Sequence, residues 1–95
     1  MPRLLFAPHA LDDLDRVATF VAVQAPADAA RTVPLIVDAL GMLRDHPLLG
    51  RQAEHGLREL VISRGRSGYV ALYRYRIDID AVVVLAIQHQ REAPR

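Results

Sequence analysis

Three stretches between Leu57 and His89 are apolar on both parities near their centres, and this limits the possible folds more than any other feature of the chain. Leu57–Ser63, Tyr69–Ile77 and Ala81–His89 are separated by Arg64-Gly65-Arg66-Ser67-Gly68 and by Asp78–Asp80. Breaks this short join antiparallel neighbours, so the stretches predict a β-meander. Side chains alternate faces along a strand. In the last stretch Val82, Val84 and Ala86 then share one face, and Val83, Leu85 and Ile87 the other. In the middle stretch Val70 and Leu72 oppose Ala71, Tyr73 and Tyr75. A sheet that is apolar on both faces needs cover on both.

The first half has a different period. Arg3-Leu4-Leu5-Phe6-Ala7 is a short apolar run closed by Pro8, and predicts an opening strand. Beyond it Leu11, Leu14, Ala18 and Val21, widened by Val17 and Phe20, form a helical stripe, with Asp12, Asp13 and Arg16 on the other side. Proline and aspartates in the opening turns suit the free N–H groups there, so a helix is predicted from about Pro8 to Val23. A second helix follows the Gln24-Ala25-Pro26 break and runs to about Asp45, with Val33, Ile36, Val37, Leu40 and Leu43 as its apolar face. Pro34 removes a donor within it and predicts a kink or a late start. His46-Pro47 stops this helix, and Gly50 marks the turn beyond.

The short connection predicts an antiparallel helical hairpin. Residues 1–95 thus read as a single α+β domain of order β-α-α-β-β-β, the hairpin packed on one face of a mainly antiparallel sheet. One hairpin covers one face. The other is left for a homodimer, a protein partner, or the N-terminal strand and tail, unless the helices and residues 47–57 wrap further around.

A chain of 95 residues builds a modest core, so a partner that covers apolar surface adds to its stability. All 12 basic residues are arginine, and against 11 acidic ones they leave a net charge of +1. That gives no bulk attraction to nucleic acid, and no chemistry here can depend on a lysine. The absence of cysteine excludes disulfides and thiolate sites. No apolar run approaches the ~18 residues of a membrane span and no signal-like N-terminus is present, so a soluble cytoplasmic protein is expected. His9, His46 and His55 lack ligand spacing, so neither a metal nor a cofactor is assigned.

Five short motifs occur in order along nearly the whole chain. They are Ala10-Leu11-Asp12-Asp13-Leu14; Leu43-Arg44-Asp45-His46-Pro47-Leu48-Leu49-Gly50; Gly56-Leu57-Arg58-Glu59-Leu60; Tyr69-Val70-Ala71-Leu72-Tyr73-Arg74; and Ile87-Gln88-His89-Gln90-Arg91. Each is weak alone. At this spacing and chain length the sequence resembles the ParE/RelE toxin superfamily of type II toxin–antitoxin systems, on its ParE-like branch.

The resemblance implies a plasmid-stabilization type of toxin that binds and inhibits DNA gyrase and is neutralised by a cognate antitoxin. It would act as a non-enzyme, alone as a homodimer or in a toxin–antitoxin hetero-oligomer, with no membrane and no sequence-specific nucleic acid as partner. The alternative is a RelE-type ribosome-dependent mRNA endonuclease. Such members use second-strand lysines, an arginine on the third strand, an arginine after the fourth and often a closing tyrosine, because a transferring phosphate needs cations and a proton carrier. Here Glu59 and Val61 stand near the lysine positions, Val70 stands where the arginine is expected, and no tyrosine follows Arg91. His89, Arg91, Arg64 and Arg66 would have to carry cleavage. A degenerate, non-toxic interaction domain is the third reading.

Antitoxin contacts are expected at Tyr69, Tyr73, Tyr75, Arg74, Arg76, Val83 and Leu85, with the tyrosines serving core or antitoxin rather than a stacked base. Arg91 and His89 are the expected target contacts by family position, although a strand-end histidine more often caps a carbonyl or lies in an interface.

Overall fold

A computed structural model describes residues 1–64 and 67–89. Strand β1 (Arg3–Phe6) leads into helix α1 (Pro8–Gln24) and helix α2 (Ala29–Gly41). Strands β2 (Arg51–Gln52), β3 (Arg58–Arg64), β4 (Ser67–Arg76) and β5 (Ala81–His89) follow. They form one sheet in the order β1-β5-β4-β3-β2. β1 runs parallel to β5, with Arg3 opposite Ala81 and Phe6 opposite Val84, and the other pairs are antiparallel. The α+β architecture is the expected one. The two-residue β2 is an addition that no alternation announces, since both its residues are exposed.

Helix α1 begins with Pro8 in its first turn, where a missing N–H costs nothing. Its buried residues are Ala10, Asp13, Val17 and Val21. The expected stripe is therefore rotated: Leu11 is half-exposed, and Asp13, placed above on the solvent side, is buried at 6% exposure. The reason lies in the sheet. β1 makes its last tie to β5 from the Ala7 N–H to the Val84 carbonyl, 2.9 Å. Beyond Val84 no strand among the described residues lies beside this edge of β5. The Asp13 carboxylate accepts the Ile87 N–H at 2.8 Å, and Arg16 donates to Asp13 at 3.1 Å and to the Ile87 carbonyl at 3.0 Å. Two side chains of α1 thus stand in for the missing strand. A buried unpaired donor would otherwise cost about 1–3 kcal/mol.

Helix α2 starts at Ala29 and continues through Pro34, so the late start does not occur. Thr32, Ile36 and Leu40 are its closed residues, Leu43 follows in the turn of 3-10 helix after it, and Val37 is exposed. Packing of this stripe outweighs the one lost backbone donor. The Thr32 hydroxyl donates to the Asp28 carbonyl at 2.9 Å, which lets a polar residue share the buried face.

β5 departs from simple alternation. Leu72 pairs with Ala86 and Tyr73 with Val84, leaving Leu85 as an extra residue. This β-bulge reverses the parity after it. Ile87, expected beside Val83 and Leu85, instead joins Val82 and Val84 in the core. His89 follows it inward. The closed core comprises Tyr69, Tyr73, Ile36, Leu40, Leu43, Ile87, Val17, Val82 and Val84, between the sheet and the two helices.

Candidate functional site

The Leu43–Gly50 motif folds as a turn against one end of the sheet. Tyr73 is fully buried; its hydroxyl donates to the Pro47 carbonyl and accepts the Gly50 N–H, both at 2.8 Å. Burial raises the Tyr73 pKa, and the Gly50 bond and the Arg58 charge oppose that rise in part. Arg58 donates to the Gly50 carbonyl at 2.8 Å and to the Leu48 carbonyl at 3.3 Å. A Cβ at Gly50 would lie 2.7 Å from both the Glu59 carbonyl oxygen and the Tyr73 ring, so only glycine fits. The clamped turn holds Leu48 and Leu49 largely exposed, beside a shallow hollow of about 450 Å³ lined also by His46, Pro47 and Tyr75.

From this turn an apolar groove of about 530 Å³ runs between α2 and β3. Leu35, Ala39 and Met42 form one wall at helical spacing, and Leu60, Val61 and Ile62 form the other. Leu49, Gly50, Arg51 and Glu59 close one end, where Arg51 and Glu59 are paired at 3.2 Å. The groove exists because β2 begins only at Arg51, opposite Glu59. From Leu60 onward no strand among the described residues pairs with that side of β3. The open edge therefore offers backbone groups as well as apolar walls to an incoming segment.

The sheet face away from the helices is a second open surface. Paired residues share a face, which places Leu5, Val83 and Arg74 in one row there, and Ala86, Leu72 and Glu59 in the next. Gln88, Val70 and Val61 form a third row, while Arg3, Ala81 and Arg76 end the face. Its centre is aliphatic and its border is charged. Arg76 makes two bonds to Asp78, 2.9 and 2.6 Å, which raise the Arg76 pKa and lower that of Asp78. Among the described residues Arg74 reaches only the His55 carbonyl at 3.3 Å, and Arg3 only the Ile79 carbonyl at 3.5 Å.

These surfaces redistribute the residues singled out above. Tyr69 and Tyr73 are closed core residues, so their side chains support the sheet and offer no contact surface. Tyr75 is half-buried on the same side, by the Leu48-Leu49 turn. Arg74, Arg76 and Val83 are together on the open face, and Leu85 is the half-buried bulge residue. His89 is only 4% exposed; its ring lies 4.9 Å from that of Phe20 and 5.0 Å from that of Tyr69. Arg66 and Arg91 lie outside the described residues, as does the side chain of Arg64. The α2–β3 groove was not anticipated, because it depends on where β2 begins. No group of three or more potential metal ligands occurs among the described residues. Among these residues no helix is long and apolar enough to cross a membrane.

A pair of helices on one face of a mixed five-stranded sheet is the architecture of the ParE/RelE-like toxin class. The chain belongs to the family described as ParE toxin of type II toxin-antitoxin system, parDE, which matches residues 4–94. It is similar to Toxin RelE3 of Caulobacter vibrioides, 36% identical over 92 residues that cover 97% of this chain and 98% of that one. Toxin RelE1 of the same organism is 35% identical over 89 residues, covering 94% of each. Among solved structures, the chromosomal ParDE system from P. aeruginosa superposes with a TM-score of 0.78 at 26% identity, covering 93% of this chain and 95% of that one. The intact E. coli RelBE toxin–antitoxin complex shares the fold, with a TM-score of 0.66 at 16% identity and full coverage of both chains. The protein is thus the toxin of a type II toxin–antitoxin pair.

Proposed function

We propose that this toxin acts by binding, with DNA gyrase as its target, and that a cognate antitoxin neutralises it by filling the α2–β3 groove. Both partners place its action in the cytoplasm. The observation that carries the non-nucleolytic reading is the position of His89. Cleavage of mRNA needs a proton carrier at the reacting phosphate. The histidine that would serve is packed between Phe20 and Tyr69 on the helix side of the sheet. Among the described residues the open face offers Glu59, Val61 and Val70 where phosphate-binding cations would be needed. The solved structures of similar fold include toxin–antitoxin complexes, which supports an antitoxin as partner. An amphipathic or extended antitoxin segment matches the groove, whose walls are aliphatic and whose strand edge is unpaired.

The second reading, a ribosome-dependent mRNA endonuclease, is favoured by the RelE names of the two Caulobacter relatives. Controlled expression in a bacterium tests both. SOS induction with filamentation, and inhibition of supercoiling by purified toxin, are expected. Rapid translation arrest with mRNA cut in the ribosomal A site would overturn the gyrase reading. No effect on growth would leave a non-toxic interaction domain.

A further inference from the structure

The open sheet face takes no part in the groove except at Glu59 and Val61, and its chemistry is different. We propose that this face is the surface the toxin presents to its target, and that it receives an acidic protein segment carrying aliphatic side chains rather than a nucleic acid. The inference rests on the reading that the toxin acts by binding a protein, and adds where and through what chemistry it does so.

Charge supplies the first argument. Arg76 is neutralised by Asp78, but Arg74 and Arg3 meet only backbone carbonyls among the described residues. Arg74 pairs across the sheet with Val83, and Val83 with Leu5, so an unmatched guanidinium directly adjoins the apolar centre. Guanidinium groups bordering an aliphatic patch complement carboxylates that flank apolar residues. The second argument is the absence of a stacking platform. Single-stranded nucleic acid is held by aromatic rings and a run of cations. Tyr69, Tyr73, Phe6 and His89 all face the helices, and the open face has no aromatic ring among the described residues. Glu59 on that face is already paired with Arg51, so it offers phosphate no cation.

The test uses full-length toxin carrying Arg74→Glu or Val83→Asp, released from its complex with the antitoxin. Binding to purified DNA gyrase, growth arrest on induction, antitoxin affinity and thermal melting are measured for each. Gyrase binding should fall about tenfold or more and growth arrest should be lost, while antitoxin affinity stays within about threefold of the parent. Parent binding to gyrase should weaken as salt rises. Gyrase binding and growth arrest within about twofold of the parent overturn the proposal. So does an equal loss of antitoxin affinity, which assigns the face to the antitoxin. So does binding of a short single-stranded RNA by the parent that Arg74→Glu abolishes. Should Val83→Asp fail to fold, the exposed Arg74 position decides. Should the parent not touch gyrase, the gyrase reading falls, and the growth-arrest comparison alone tests the face.

Discussion

Two strands of this sheet continue past their neighbours, and the fold treats the two exposed edges in opposite ways. β5 outruns β1 after Val84, and there Asp13 and Arg16 reach from α1 to take up the N–H and carbonyl of Ile87. β3 outruns β2 after Glu59, and there α2 stands back, leaving a groove lined by Leu35, Ala39 and Met42. An unpaired edge is a template for adventitious pairing, and proteins cover or charge such edges unless they have a use for them. The sealed edge shows that a helix side chain can close the gap in this fold. The contrast supports the open edge as the site proposed for the antitoxin.

The largest expected effect comes from breaking the seal. Asp13→Ala leaves the Ile87 N–H without an acceptor and Arg16 without its carboxylate. It should destabilise the toxin by about 3 kcal/mol in urea unfolding, with Asp13→Asn milder because one carbonyl oxygen remains. A loss below about 1 kcal/mol for the alanine variant would mean that the edge needs no seal. At the other edge, Tyr73→Phe removes both the donor to Pro47 and the acceptor for Gly50. It should cost about 2 kcal/mol and loosen the turn that ends the groove, seen as faster amide exchange at Gly50.

Filling the groove from the partly buried Ala39 should separate binding from folding. Ala39→Arg places a long side chain along the α2 wall. Antitoxin affinity should drop about tenfold, which is ~1.4 kcal/mol, while stability changes by less than about 0.5 kcal/mol. Unchanged affinity would show that the open edge is not where the antitoxin lies. The smallest effect is on alkaline stability. The Tyr73 pKa is raised in the folded protein above its ordinary 10.0, so above that pH the unfolded chain ionises first. Stability should therefore decline as pH climbs past the ordinary value and level off beyond the folded one, and Tyr73→Phe should flatten that part of the profile.

Much of the frame was legible in the sequence. Pro8 and the stripe through Val17 and Val21 located α1, and His46-Pro47 with Gly50 located the turn after α2. The same turn motif led to the family, and Gly50 proves to be required by the Tyr73 ring and the Glu59 backbone. Asp13 was within a quoted motif yet was assigned to solvent, because a carboxylate is normally a surface group. Its burial follows from a donor 74 residues away. Alternation and the net charge predict core or antitoxin contact for the tyrosines, and only the structure shows that Tyr69 and Tyr73 are closed core residues.

The order of residues settled those matters that depend on near neighbours: which segments are helical, which are extended, and that both faces of the sheet are apolar. These follow from periodicity, which is local. The tertiary structure decided which strand edges lack a partner, which of them is sealed, and which way Ile87 and His89 point after the bulge at Leu85. Those outcomes depend on strand ends and pairing between residues distant in the chain. One extra residue in β5 turns every later side chain to the other face, and no local pattern announces it.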